Sequence, residues 1–473
     1  MEDPRSPAMP PLGPPYAAPH PPPPPTFPPG PPAEWPWLPP LPPTPPPAPS
    51  GPGGTPPRDP DDLARRRALV LAAIGAVVVM LIAVLAWSES GSSNGRFVVG
   101  ATTTTTAPVA SDSSSDSSTS GSSSSDSSPS DLPTTIEDIK AFVERERGLT
   151  FKSDVQVQLV GDNELAQRLD SELTDEQANI AETQQVFRVL GLVPADFDLT
   201  GAERTLLDAA VVGFYDAKTK QLVVRGTSVT PYVREVLAHE LTHALDDQWF
   251  GLDRPQLDNA DDETGFAFDV LAEGDATRVE LAYVDSMSSK DQTKAIAEQD
   301  RLALQHPEIL DLPSVVLDLT QEPYVAGPPL IDAILAAGGQ PRLDAAFVTP
   351  PVTSAQVLDP SKFLAGEGPV PVPVPSPDGA LSNRGVLGAV VFRELLDGAL
   401  PSNQVDRAVA GWGGDDYVTW VALDGSTCLR DTFVGDTPAD TASLAQALGT
   451  WATGERATVD APDGAPGTFT ICR

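Results

Sequence analysis

An α+β fold is predicted for the chain from Leu132 to Arg473: a first lobe with a small sheet and a β-hairpin, then a mixed α/β C-terminal part. Three observations carry the prediction. Residues 132 to 250 read in the order helix, strand, helices, hairpin, helix, which is the mark of an α+β lobe. Of the 53 Pro, 29 lie in residues 1 to 60, so a disordered tail precedes the fold. Between tail and fold, Ala68 to Trp87 runs twenty residues without a charge, a single transmembrane helix.

Residues 1 to 64 form the tail, with the Pro-dominated stretches His20 to Pro25 and Pro39 to Pro49 and with Trp35 and Trp37 among the prolines. Lacking apolar periodicity, it reads as polyproline II, either simply solvated or a ligand for a Pro-recognising partner. Residues 65 to 87 are a basic flank and the membrane span. At 1.5 Å per residue its twenty apolar positions reach roughly 30 Å, a hydrocarbon core. Arg65, Arg66 and Arg67 precede it and only Arg96 soon follows, which puts the N-terminus in the cytoplasm and the remainder outside the cell membrane. A cleaved signal peptide, with Val84 and Ala86 near its end, competes less well because leader and apolar run are both too long. Residues 88 to 131 are a Ser, Thr, Gly and Asp mixture open to O-glycosylation, a flexible linker reaching on the order of 35 Å.

The formal net charge is −36, of which residues 1 to 67 supply five basic and six acidic side chains. The acidity therefore belongs to the part after the tail, where it repels phosphate backbones and excludes nucleic acid as a partner. Basic substrates would suit it, as would mere solubility. Two cysteines rule out a Cys-rich zinc module and a disulfide-dense scaffold.

Within the first lobe, 132 to 300, Ile136, Ile139, Phe142 and Val143 have helical spacing, and VQVQLV alternates as a strand over 155 to 160. Asp162 is the expected N-cap of one helix, NELAQRLDSEL, and EQANIAETQQVFRVLGL is a second closed by Gly191. AVVGFYDAKTKQLVVRG reads as a hairpin turning over Asp216 to Lys220. TPYVREVLAHELTHALDDQWF then begins a helix twice over, with Thr230 as N-cap and Pro231 at the first helical position. On it Val233, Leu237, Leu241, Ala244 and Leu245 gather on one side, and His239 and His243 lie about 40° apart on the other.

His239-Glu240-Leu241-Thr242-His243 is an HExxH arrangement, in which imidazoles one turn apart chelate a Zn2+ ion. Zinc lowers the pKa of a water to about 7, and Glu240 is placed to accept its proton. Surface histidines on an ordinary helix are the alternative. Against it, only four His exist, and His20 lies in the tail, so two of three falling around a Glu is an improbable accident. The pattern HExxHxxGxxH is excluded, since Asp246 and Trp249 occupy the Gly and final His positions, and a carboxylate must complete the set. Glu273, on the helix begun by Asp261 or Asp262, is the first choice because Gly274 and Ala276 permit close approach to the HExxH helix. Asp269 and Glu280 share its face and remain rivals.

VLAHELTHAL resembles the zinc helix of the gluzincins, the thermolysin clan of the peptidase MA superfamily, and VLAEGDAT resembles the second helix of bacterial membrane-anchored gluzincin-like proteins. The hairpin and the later segments EPYVAG, PPVTSAQVLDPSKFL and AGWGGDDY resemble theirs too, from Leu132 to about Tyr417. The resemblance implies a zincin-like catalytic lobe in which His239, His243 and Glu273 are ligands and Glu240 the base. Two departures accompany it. Thr277 stands where the second helix of thermolysin-type enzymes carries an Asp, so support for a ligand histidine must come from elsewhere, with Asp246 and Asp247 as candidates. Asp359 stands where relatives often have His.

Tyr324 and His306 are candidate transition-state donors, and Tyr215 reads as structural. In the C-terminal lobe, 301 to 473, DDYVTWVAL, DTFVGD and GTFTICR are strand-like and SLAQALGTWA is a short helix. Cys428 and Cys472, outside the membrane, are expected to pair. The expectation is a membrane-anchored extracytoplasmic zinc metallopeptidase acting on peptide or protein, with the strand ending near Arg225 pairing with an extended substrate. The alternatives are a catalytically silent zincin-fold scaffold or adhesion protein, and a zinc hydrolase of other envelope material.

Overall fold

A computed structural model describes residues 132–473 except 211, 255, 256 and 258–261. The tail, the apolar run 68–87 and the linker lie outside the described residues, among which no helix is long and apolar enough to cross a membrane. The fold is mixed α+β, and the described strands form two sheets.

Helix α1 (Leu132–Arg147) buries Ile139, Phe142 and Val143 as their spacing predicts. After β1 (Gln156–Val160) comes α2 (Asp162–Leu190), one continuous helix where two are predicted. No Gly or Pro interrupts the sequence between the two predicted pieces, so nothing ends the first. Its N-cap is Gly161 rather than Asp162, without a side-chain hydrogen bond, and Gly191 closes it in the left-handed region at φ 80°. Helix α3 (Leu199–Ala210) leads to the hairpin β2 (Gly213–Asp216) and β3 (Gln221–Arg225), whose turn is held by Asp216 Oδ1 accepting from the Lys218 and Thr219 amides.

Sheet order is β1-β3-β2, with β1 parallel and β2 antiparallel to β3. This corrects the expectation that the strand ending at Arg225 takes a peptide. Both edges of β3 are already paired, and β2 is the edge strand that packs against the next helix.

That helix, α4 (Pro231–Phe250), starts as predicted, with the Thr230 side chain accepting from the Val233 amide. It is not two-faced. From Pro231 to Asp247 every residue is buried except Arg234 and Glu235, because β2, α1, α5 (Asp262–Ser286) and α6 (Ser289–Ala303) surround it. A short 3-10 turn (Pro307–Asp311) precedes α7 (Ser314–Gly338), which packs along α5 and contributes Leu330, Ile331 and Ile334 to the same core. Helices α8 (Gln340–Val348), α9 (Ser354–Leu358) and α10 (Pro360–Ala365) continue that layer.

The second sheet has the order β4-β5-β6-β8-β7 and is antiparallel throughout: β4 (Leu381–Gly385), β5 (Trp412–Val421), β6 (Thr427–Gly435), β7 (Thr458–Asp460) and β8 (Gly467–Cys472). Helices α11 (Gly388–Asp397), α12 (Ser402–Val409) and α13 (Pro438–Glu455) supply its core with Phe392, Val405 and Trp451 against Phe433 and Phe469. The predicted short helix is thus a full α13, started by a capping box between Thr437 and Asp440. Cys428 and Cys472 face each other in the β6–β8 register and form the expected disulfide. Replacing both by Ser is expected to lower stability by about 4 kcal/mol, the loop entropy of a closure spanning 44 positions, read as a fall in urea midpoint.

Candidate metal centre

His239 and His243 project from adjacent turns of α4, and Glu273 comes from α5 packed beside it. Their donor atoms converge. His239 Nε2 lies 3.1 Å from His243 Nε2 and 3.1 Å from Glu273 Oε2, and His243 Nε2 lies 3.3 Å from the same oxygen. Donors at about 2.0 to 2.1 Å from a tetrahedral ion stand about 3.3 Å apart, so the triangle has the dimensions of one tetrahedral face. The three side chains are buried, and the group can hold a metal ion. Burial opposes ionisation of Glu273, but the two imidazoles outweigh it and hold the carboxyl down at about 2.

Glu240 is fully buried on the same helix. Its Oε2 accepts from the Tyr215 amide of edge strand β2 at 2.8 Å, while Oε1 has no hydrogen-bond partner. Burial outweighs the two imidazoles and pushes its carboxyl up to about 7. The arrangement offers one anchored oxygen and one oxygen available to a proton.

Glu280, a rival for third ligand, has a different place. Its Oε2 lies 2.9 Å from His239 Nδ1, a contact that turns the ring so that Nε2 faces the other donors. Seven residues, or two turns, separate it from Glu273 on one face of α5, so a single helix furnishes both a candidate ligand and the support of another. Glu280→Ala is expected to weaken metal binding about 10- to 100-fold in a chelator competition.

The predicted supports Asp246 and Asp247 are hydrogen-bonded elsewhere, and the carboxylates paired with the histidines are Glu273 and Glu280. Asp246 accepts from buried Arg147, and Asp247 accepts from the Tyr215 hydroxyl at 2.7 Å, Lys220 Nζ at 2.7 Å and the Leu252 amide at 3.0 Å. Both follow the histidines on α4 but point to its neighbours: Asp247 ties the hairpin down and so steadies the Tyr215 amide on Glu240. Tyr215 is structural in this sense, as its sequence context suggested.

Asp269 is buried one turn before Glu273 but lies outside the three-residue group. Tyr324 is brought to the centre by α7: its ring centroid is 6.4 Å from that of His239, and burial, reinforced by the nearby Glu273 carboxylate, raises its pKa well above the usual value. The approach depends on glycine. A Cβ on Gly274 would lie 2.5 Å from the Gly327 backbone, so α5 and α7 touch where neither has a side chain. Gly274 therefore serves contact with α7, not with the HExxH helix as expected. His306 stands beside Glu308 before the 3-10 turn, outside the centre, and Asp359 caps α10 through the Ser361 amide.

No protein-family model, curated protein or solved structure matches the chain.

Proposed function

We propose that the chain is a membrane-anchored, extracytoplasmic zinc metallopeptidase of the gluzincin type, its zincin-like lobe built around α4 and α5. The observation that carries this reading is the tetrahedral-face spacing of His239, His243 and Glu273 with the base candidate Glu240 between the two histidines. Two imidazoles and one carboxylate are the donor set of a catalytic zinc, which keeps a fourth position open. Bound there, the ion supplies Lewis acidity toward a water and a substrate carbonyl.

The chain's own groups do the rest. Glu240 takes a proton at Oε1 and returns it to the departing amine, while its Oε2 stays fixed on the Tyr215 amide. Glu280 orients the His239 ring, and Tyr324 stands near Glu273. The apolar run 68–87 supports anchoring, and its basic flank supports an external catalytic part. A second reading, a structural metal centre in a catalytically silent scaffold, is favoured by one observation: His239, Glu240, His243 and Glu273 are only 0 to 3 % exposed.

Cleavage of an unbiased peptide mixture by the full-length protein separates the two. The peptidase reading expects cleavage that a chelator abolishes and zinc restores. Metal binding without any cleavage would favour the scaffold.

A further inference from the structure

We propose that Arg147 is a positioning residue for the metal centre: its guanidinium ties the helix bearing the two histidines to the helix bearing Glu273 and thereby sets the spacing of the donors. The inference rests on the metal-binding reading of that site.

Arg147 ends α1 and is 0 % exposed. Its Nε and Nη2 donate to Asp246 Oδ1 at 2.9 and 2.7 Å, and Asp246 stands one turn beyond His243 on α4. Arg147 holds Asp275, two residues beyond Glu273 on α5, by charge alone: Asp275 Oδ2 lies 2.5 Å from the same Nε but accepts no hydrogen bond. Nη1 donates to Gln340 Oε1 at 2.9 Å and lies 3.4 Å from Asp344, both on α8. Phe250 and Phe347 stack on each other with centroids 5.0 Å apart and flank the guanidinium at 5.9 and 5.5 Å. One planar cation thus joins four helices, and two of them carry every donor of the centre.

Stability alone does not account for this. A buried ion pair is commonly no more stabilising than apolar side chains of the same volume, so its usefulness lies in fixing geometry. The planar fork of five donors can bind carboxylates from two directions at once, which a lysine ammonium on a flexible stem does not reproduce. A metal site needs such control, because a displacement of about 1 Å between α4 and α5 would open the donor triangle.

Two variants of the full-length protein test the proposal. Arg147→Lys keeps the charge without the fork. Arg147→Met combined with Asp246→Asn and Asp275→Asn removes the cation together with its two fully buried carboxylates, leaving only the partly exposed Asp344 and Arg278 without those partners. Spin labels at Trp249→Cys and Leu281→Cys, both exposed, report the α4–α5 distance in metal-free protein by pulsed electron resonance. Chelator competition and the visible spectrum report Co2+ binding. Both variants are expected to broaden or shift the distance distribution, weaken Co2+ at least about tenfold and alter its absorption band. A folded variant with the parent distance distribution, Co2+ affinity and spectrum would overturn the proposal. If the parent itself binds no Co2+, the metal reading fails while the label distances still decide the clamp.

Discussion

Glu240→Gln is expected to lower peptide hydrolysis by about 10²- to 10⁴-fold while leaving the metal content and the fold intact. The amide is nearly isosteric, and its carbonyl oxygen can still accept from the Tyr215 amide, the contact that fixes Oε2 at 2.8 Å. What disappears is proton acceptance at Oε1, the oxygen with no hydrogen-bond partner, and general-base catalysis is worth about 10²- to 10⁴-fold. The same variant carries a pH signature in the metal-free protein. Because the folded state raises the Glu240 carboxyl from 4.5 to about 7, the folded chain binds its proton more tightly than the unfolded chain. That contribution is full below the unfolded value and is lost as pH rises through about 7. Urea midpoints of the metal-free parent should therefore fall between about pH 5 and about pH 8 by more than those of Glu240→Gln. Equal slopes would show that burial does not perturb this carboxyl.

Glu273→Gln is expected to weaken metal binding by more than the 10- to 100-fold typical of losing a supporting residue, since it removes a charged donor directly. Glu273 Oε2 stands within 3.3 Å of both imidazole nitrogens, and an amide oxygen there is a poorer ligand that also loses the attraction holding the carboxyl near 2. Asp269→Asn, one turn earlier on the same helix, should leave metal affinity within a few fold. If the two variants exchange behaviour in chelator competition, the third ligand is Asp269.

Much of the centre was legible because its chemistry is local. Thr230, Pro231 and the five-residue HExxH spacing define a helix start and a chelating pair within fourteen residues, and the structure places both histidines together. Glu273 was readable as a carboxylate among small residues, but the reason for Gly274 was not, because its neighbour Gly327 lies 53 residues away on a helix interrupted by Pro323, Pro328 and Pro329. Those prolines argue against a helix locally, yet the packing of α7 along α5 keeps it helical. The support for His239 was misplaced for a related reason. Asp246 and Asp247 are near the histidines in sequence, but their angular position on α4 turns them toward Arg147 and Tyr215, whereas Glu280 reaches His239 across the α4–α5 contact. The all-round burial of α4 was equally hidden, since it depends on how many neighbours surround the helix rather than on its own periodicity.

Zinc K-edge X-ray absorption of the full-length protein, compared with His239→Ala, tests the account most directly. One zinc per chain is predicted, with two imidazole nitrogens and one carboxylate oxygen at about 2.0 to 2.1 Å, and with that signal lost in the variant. A protein without zinc, or a zinc environment unchanged by His239→Ala, would contradict it.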